Sequence, residues 1–113
     1  MNLLGLLRRD RVADNLRERV VEALRQIHDP EIPLNIYDLG LIYGLDIDDM
    51  GRAEIRMTLT APACPVAHTF PALVEDVVAG VRGISRAHVE LVWDPPWGKR
   101  RLTEAARLQL GLL

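Results

Sequence analysis

The sequence predicts an α+β domain, with helices packed on one face of a small mixed sheet in the order αββαβα. Three observations lead there. Two runs of alternating apolar and polar residues flank a short Asp/Gly turn, which is a β-hairpin pattern. Two other stretches repeat apolar residues at helical spacing. A third alternating run follows the second helix and precedes a short capped segment, so strands and helices interleave around one core. The 113 residues suit a single domain, because one core usually occupies roughly 100–150 residues.

Residues 1–11 are expected to form an amino-terminal segment and residues 12–113 the domain itself. The opening "MNLLGLLRRD" has a five-residue apolar run, Leu3 to Leu7, with no basic residue ahead of it. That is shorter than a secretory signal or a membrane span requires, so a soluble cytoplasmic protein is expected and Leu3–Leu7 is read as packing.

The first helix is expected from Val12 to about His28. Leu16, Val20, Leu24 and Ile27 form its apolar stripe, and Arg17, Glu18, Glu22 and Arg25 its wet side. Pro30 disfavours helical geometry at Asp29 and should stop it. "DPEIPLNIYDLG" then reads as a long ordered loop. In the first strand Leu41, Tyr43, Leu45 and Ile47 should share one face. In the second, Ala53, Ile55, Met57 and Leu59 oppose Arg52, Glu54, Arg56 and Thr58. The second helix lies within Val66–Val81, with Phe70, Leu73, Val74, Val77 and Val81 inward. Pro71 costs about 3 kcal/mol in a helix interior, which moves the regular start towards Thr69. The third strand places Ala87, Val89, Leu91 and Trp93 on one face before "DPPWGK" breaks it. Thr103 is the expected N-cap of a last helix closed by Gly111.

Hydrophobic residues make up 49% of the chain and charged residues 27%, with a net charge of −2. Basic and acidic residues are interspersed, and the basic stripe that nucleic-acid binding needs is missing. The run Lys99–Arg101 is read as an exposed turn or a first helical turn. One cysteine cannot form an intramolecular disulfide, so the fold must stand without one.

That cysteine, Cys64, sits in "TLTAPACPVAH" ahead of the second helix, with Thr58 and Thr60 on the same connection. The free N–H groups of a first helical turn favour thiolate over thiol, and Pro65 suits the first helical position. A partly accessible Cys64 with a depressed pKa is one reading. A buried structural cysteine is the other, and both stand open on these residues alone. His68, four residues on, would share a face with Cys64 on a continuous turn. Two ligands do not complete a tetrahedral metal site, and a solvent-facing imidazole is the plainer reading. His28 and His88 read as surface residues. Asp29, Glu31 and Asp38 give the long loop three carboxylates, suited to a hard metal or to acid–base work, although Asp29 also reads as a helix-terminating turn residue. Trp93 and Trp97 around Asp94-Pro95-Pro96 read as a partner surface or as the cover of a core edge. No Ser-His-Asp order, phosphate loop or paired-cysteine motif is present.

Taken together, "DPEIPLNIYDLGLIY", "MTLTAPACP" and "DPPW", followed by "EAARLQLGLL", resemble the MIP-type metal–sulfur cluster biosynthesis family, nearest its SUF-system branch, over about residues 12 to 113. The resemblance implies a non-enzymatic accessory factor in iron–sulfur cluster assembly or transfer. It assigns the functional acid to Asp29 or Glu31 and the reactive cysteine to Cys64, with Thr60 in the same motif and no role for His68. Partners would be an assembly scaffold or client apo-proteins, and the cargo a transient iron–sulfur cluster or iron. One thiolate is too few for a cluster that usually takes four. A homodimer is therefore expected if the protein itself holds metal, with two Cys64 and two His68 as mixed ligands. Two alternatives stand beside this reading. One is a protein-binding adaptor acting through Trp97 with a structural Cys64. The other is a maturation subunit of an oxygenase complex, like the phenylacetate-degradation relatives, although their cysteine-rich carboxyl-terminal extension is absent.

Overall fold

The computed structural model describes residues 15–29, 32–60 and 69–111. The expected Val12 turn, the Leu3–Leu7 run and the amino-terminal boundary lie outside them. Helix α1 covers residues 15–24, β1 is Ile42–Ile47, β2 Arg52–Met57, α2 Phe70–Ala79, β3 Arg86–Leu91 and α3 Glu104–Gln109. The sheet order is β1-β2-β3, with β1 antiparallel and β3 parallel to β2. This is the predicted order and a mixed sheet. The parallel pairing follows from α2, which carries the chain back across the sheet before β3 begins.

One face of the sheet carries the core. Ala53, Ile55 and Met57 of β2, Leu45 of β1 and Val89 of β3 pack with Val20, Leu24 and Ile27 from α1 and its end, and with Phe70, Val74 and Val78 from α2. The other face presents Arg52, Glu54, Arg56, Arg86, His88 and Glu90 to water. The alternation along β2 dictates this division, since successive side chains point to opposite faces.

Four expectations are corrected. Helix α1 ends at residue 24 rather than near His28. Gln26 and Ile27 donate to carbonyls three residues back, Ala23 and Leu24, and His28 already bridges to Asn35. In β1 the register shifts between Ile42 and Gly44, so Ile42 pairs with Met57 on the core side. That bulge releases Tyr43 from the inner row and turns it towards Arg101. On α2 the centre of the buried stripe is Phe70, Val74 and Val78, while Leu73 is 48% exposed. Finally, β3 stops at Leu91, and Trp93, beyond the last ladder bond from Val92 N to Met57 O, is 42% exposed. The start of α2 is as expected, with Thr69 at the N-cap position and Pro71 in the first turn, where its missing donor costs nothing. Thr103 caps α3 by accepting from Ala106 N at 3.2 Å, and Gly111 follows in a left-handed conformation.

Both sheet edges are partly covered. Arg17 of α1 donates to the outward Leu45 carbonyl at 2.7 Å, and the Glu75 carboxylate of α2 accepts from Val89 N at 2.8 Å. Each bond occupies a backbone group that an open edge would offer to another strand.

The hairpin turn is closed by the Asp48 carboxylate, which accepts from Met50 N, Arg52 N and Arg52 Nε. The bond from Arg52 N leads in holding its pKa below the ordinary carboxylate value. Across the wet face, His88 Nδ1 lies 2.9 Å from Glu54, and this hydrogen bond, with the carboxylate's charge, raises the histidine pKa. The pair's contribution to stability is therefore complete below the ordinary histidine pKa and is lost as pH rises through the raised one. Because both groups are exposed, the effect on folding is small, but the titration is measurable. The His88 ring signals should titrate above a free histidine, and Glu54→Gln should bring the midpoint back down.

Candidate functional site

The topology brings the chemistry to one end of the sheet. β1 begins where β2 and β3 finish, because Ile42 and Leu91 both pair with Met57. The loop before β1, the connection after β2 and the segment after β3 therefore meet there. Among the described residues these are Asp29 with residues 32–40, residues 58–60 and residues 92–97, which belong to the "DPE…YDLG", "TLTAPACP" and "DPPW" strings. Backbone bonds fasten them: Thr58 N donates to Leu41 O at 2.9 Å and Val92 N to Met57 O at 2.8 Å.

The first stretch is a stapled loop. Asp29 is buried, its Oδ1 accepting from Ile32 N at 2.8 Å and its own N–H donating to Leu34 O at 3.0 Å. A carboxylate held this way is a fixed acceptor, which is both the turn role expected of it and a way to aim it. Asn35 and Asp38 exchange two bonds of 2.8 Å, from Asn35 Nδ2 to the Asp38 carboxylate and from Asp38 N to Asn35 Oδ1. Arg25 adds an ion pair to Asp38 at 3.7 Å and lies over the Tyr37 ring. Asp38 is thus occupied in holding the loop, which answers for its place among the three carboxylates.

The third stretch docks on the first. Trp97 Nε1 donates to Leu39 O at 2.6 Å, Thr103 N donates to Asp38 O at 3.0 Å, and Tyr43 hydroxyl donates to Pro95 O at 2.7 Å. Asp94-Pro95 is a cis peptide. Gly40 has φ +78°, and a Cβ there would collide with the backbone carbonyl of Arg101. Glycine is required at this point by both conformation and contact. Trp97 is half-buried against the core.

The second stretch leaves β2 through Thr58, Leu59 and Thr60. Thr58 belongs by alternation to the wet face, yet it is buried, and its N–H donates to Leu41 O. Its hydroxyl has no hydrogen-bond partner among the described residues. Alternation within β2 gave no sign of this, because Thr58 lies just past the strand's last residue, Met57. Thr60 is half-buried. Cys64, His68 and Glu31 lie outside the described residues. Among the described residues no three His, Cys, Asp or Glu side chains gather to hold a metal ion, and no helix is long and apolar enough to cross a membrane.

A small domain of this fold, with these three stretches joined at one sheet end, matches a family model described as iron-sulfur cluster assembly protein over residues 17–91. The chain belongs to this family. It is 44% identical over 99 residues, 85% of this chain and 91% of the relative, to a protein of Porphyromonas gingivalis named Fe-S protein maturation auxiliary factor. It is 37% identical over 84 residues, 74% of this chain and 96% of the relative, to the Fe-S protein maturation auxiliary factor SufT of Staphylococcus aureus. The crystal structure of a domain of unknown function, DUF59, from Bacillus anthracis matches with a TM-score of 0.79 at 32% identity, covering 88% of this chain and 95% of that one.

Proposed function

We propose that this protein is a cytoplasmic accessory factor in iron–sulfur cluster assembly, or in cluster transfer to client proteins, and not an enzyme. The observation that carries the reading is the 44% identity, across 85% of the chain, to an Fe-S protein maturation auxiliary factor. The geometry is consistent with this reading: described parts of three chain segments are held together at one sheet end, with Asp29 bonded in the first and Thr60 half-buried in the second. Cys64 is the metal-facing group, since a soft thiolate suits iron and cluster sulfide. It lies four positions on from Thr60, so covalent reach keeps their Cα atoms within about 14 Å of each other. Glu31, next to the Asp29 turn, is the second acid of the set.

The cluster is cargo. A scaffold or donor brings it, Cys64 replaces one donor ligand, and client thiolates replace Cys64 in turn. Where the cargo rests on this protein, two copies would each supply Cys64, with His68 completing a mixed and labile set held by mass action. In an anaerobic assay, a cluster-loaded scaffold is mixed with an apo client that needs a four-iron cluster. Substoichiometric addition of this protein should speed recovery of the client's cluster absorption. An unchanged rate, together with no iron bound after incubation with iron and sulfide, would overturn the proposal.

A further inference from the structure

On the wet face of the sheet, beside the end just described, lies a recess of about 270 Å³ lined by Tyr43, Arg56, Val92, Asp94, Pro95 and Arg101. One of its arginines lies over Gly44 and the other is stacked on an aromatic ring. Arg56 extends across β1, and its guanidinium occupies the space a side chain at position 44 would fill: a Cβ on Gly44 would stand 2.5 Å from Arg56 Nη2. The group is thereby carried away from Glu90, its register neighbour on β3. Arg101 stacks its guanidinium 3.9 Å above the Tyr43 ring. Tyr43 is itself fixed by its hydroxyl bond to Pro95 O. The β1 bulge is what turns Tyr43 into this position.

Neither guanidinium reaches a carboxylate at ion-pair distance among the described residues. Arg101 Nε is buried and has no hydrogen-bond partner there. A buried, unpaired donor on a cation is costly in a folded protein, and an anion held by the rest of the same guanidinium offsets part of that cost. Two planar guanidinium forks lining one recess suit a planar oxyanion that takes paired N–H donors. Asp94 on the rim cancels one of the two positive charges, which fits a singly charged acceptor better than a phosphate dianion.

We infer that Tyr43, Arg56 and Arg101 form a carboxylate-binding site, occupied by an acidic side chain of a partner protein. This goes beyond the cluster proposal and does not depend on it, since no residue of the recess is a metal-facing group.

The test follows the arginine Nε–Hε NMR signals of the ¹⁵N-labelled protein. Glutarate, inorganic phosphate and chloride are titrated separately at constant ionic strength. Glutarate should shift the Arg56 and Arg101 signals saturably, with the amides of Tyr43 and Val92 moving alongside. Arg56→Lys keeps the charge and loses the fork, so it should weaken glutarate binding about tenfold, the equivalent of roughly 1.4 kcal/mol. Arg101→Gln should abolish binding, and Arg56→Gln gives a second reading that does not disturb the Tyr43 stack. Linear shifts shared by chloride would overturn the site. Saturation by phosphate at lower concentration than glutarate would overturn the carboxylate assignment. Unchanged affinity in a folded Arg56→Gln variant would remove Arg56 from it.

Discussion

Replacing Gly40 with alanine should lower stability by about 3 kcal/mol or more, a large change for a single methyl group. Two effects combine. The residue sits at φ +78°, where an L side chain is strained by roughly 1–2 kcal/mol. The added Cβ also meets the backbone of Arg101, which cannot swing away as a flexible side-chain tip would. The segment from Trp97 to α3 must therefore shift from the loop before β1. That loosens the Trp97–Leu39 and Thr103–Asp38 bonds and the seats of Leu102 and Ala106, both buried. Uncovering a leucine alone costs about 1.5–3 kcal/mol. A fall in melting temperature of about 10 °C or more is the expected readout. Gly98→Ala is the control. Gly98 lies in the same segment on extended backbone, and a Cβ added there would meet nothing within 4 Å, so melting should barely change.

The second large effect is functional. On the proposal above, Cys64→Ser should reduce client maturation to the rate seen without the protein, while the melting curve stays within about 2 °C of the parent, as expected for a change within about 0.5 kcal/mol. Oxygen replaces sulfur at nearly equal size, so packing is little altered. Iron and cluster sulfide lose their soft ligand. The chain has no other cysteine to take over. A variant that melts much earlier and keeps its transfer activity would make Cys64 structural and return the adaptor reading. The two predictions separate cleanly, because Gly40→Ala acts through docking of the third stretch and Cys64→Ser through one ligand atom.

Much of this fold was legible because its signals are local. Alternation from Arg52 to Met57 fixes the inner face of β2, and the Asp/Gly turn fixes the hairpin. Thr103 announces α3, and Pro71 marks where α2 can begin. Several of the misses are non-local. A one-residue bulge in β1 moves Tyr43 off the core row, and only the pairing of Ile42 with Met57 reveals it. Thr58 is buried just past the end of β2, where its N–H is bonded to Leu41 of another segment. Glu75 looks like a solvated helix residue until β3 arrives beside it and Val89 N needs an acceptor. The site followed the same rule. The motifs named Asp29, Thr60 and Trp97 among their residues, but nothing in the strings says that these three share one end of the sheet. That follows from the direction of three strands. Trp97 has a role that its sequence context left open, since its indole N–H joins the third stretch to the first.

Everything proposed for Cys64 requires it to lie with the three stretches at that end of the sheet. A nitroxide attached to this single cysteine reads out its position, because paramagnetic broadening of amide signals falls off steeply with distance. Broadening is expected around Asp29, Leu39 to Leu41, Thr58 to Thr60 and Val92 to Trp97, with the turn from Asp48 to Arg52 and the Gly83–Ser85 loop at the far end unaffected. Broadening centred on that turn, with Asp29 and Trp97 left sharp, would put Cys64 at the wrong end of the sheet and remove it from the site.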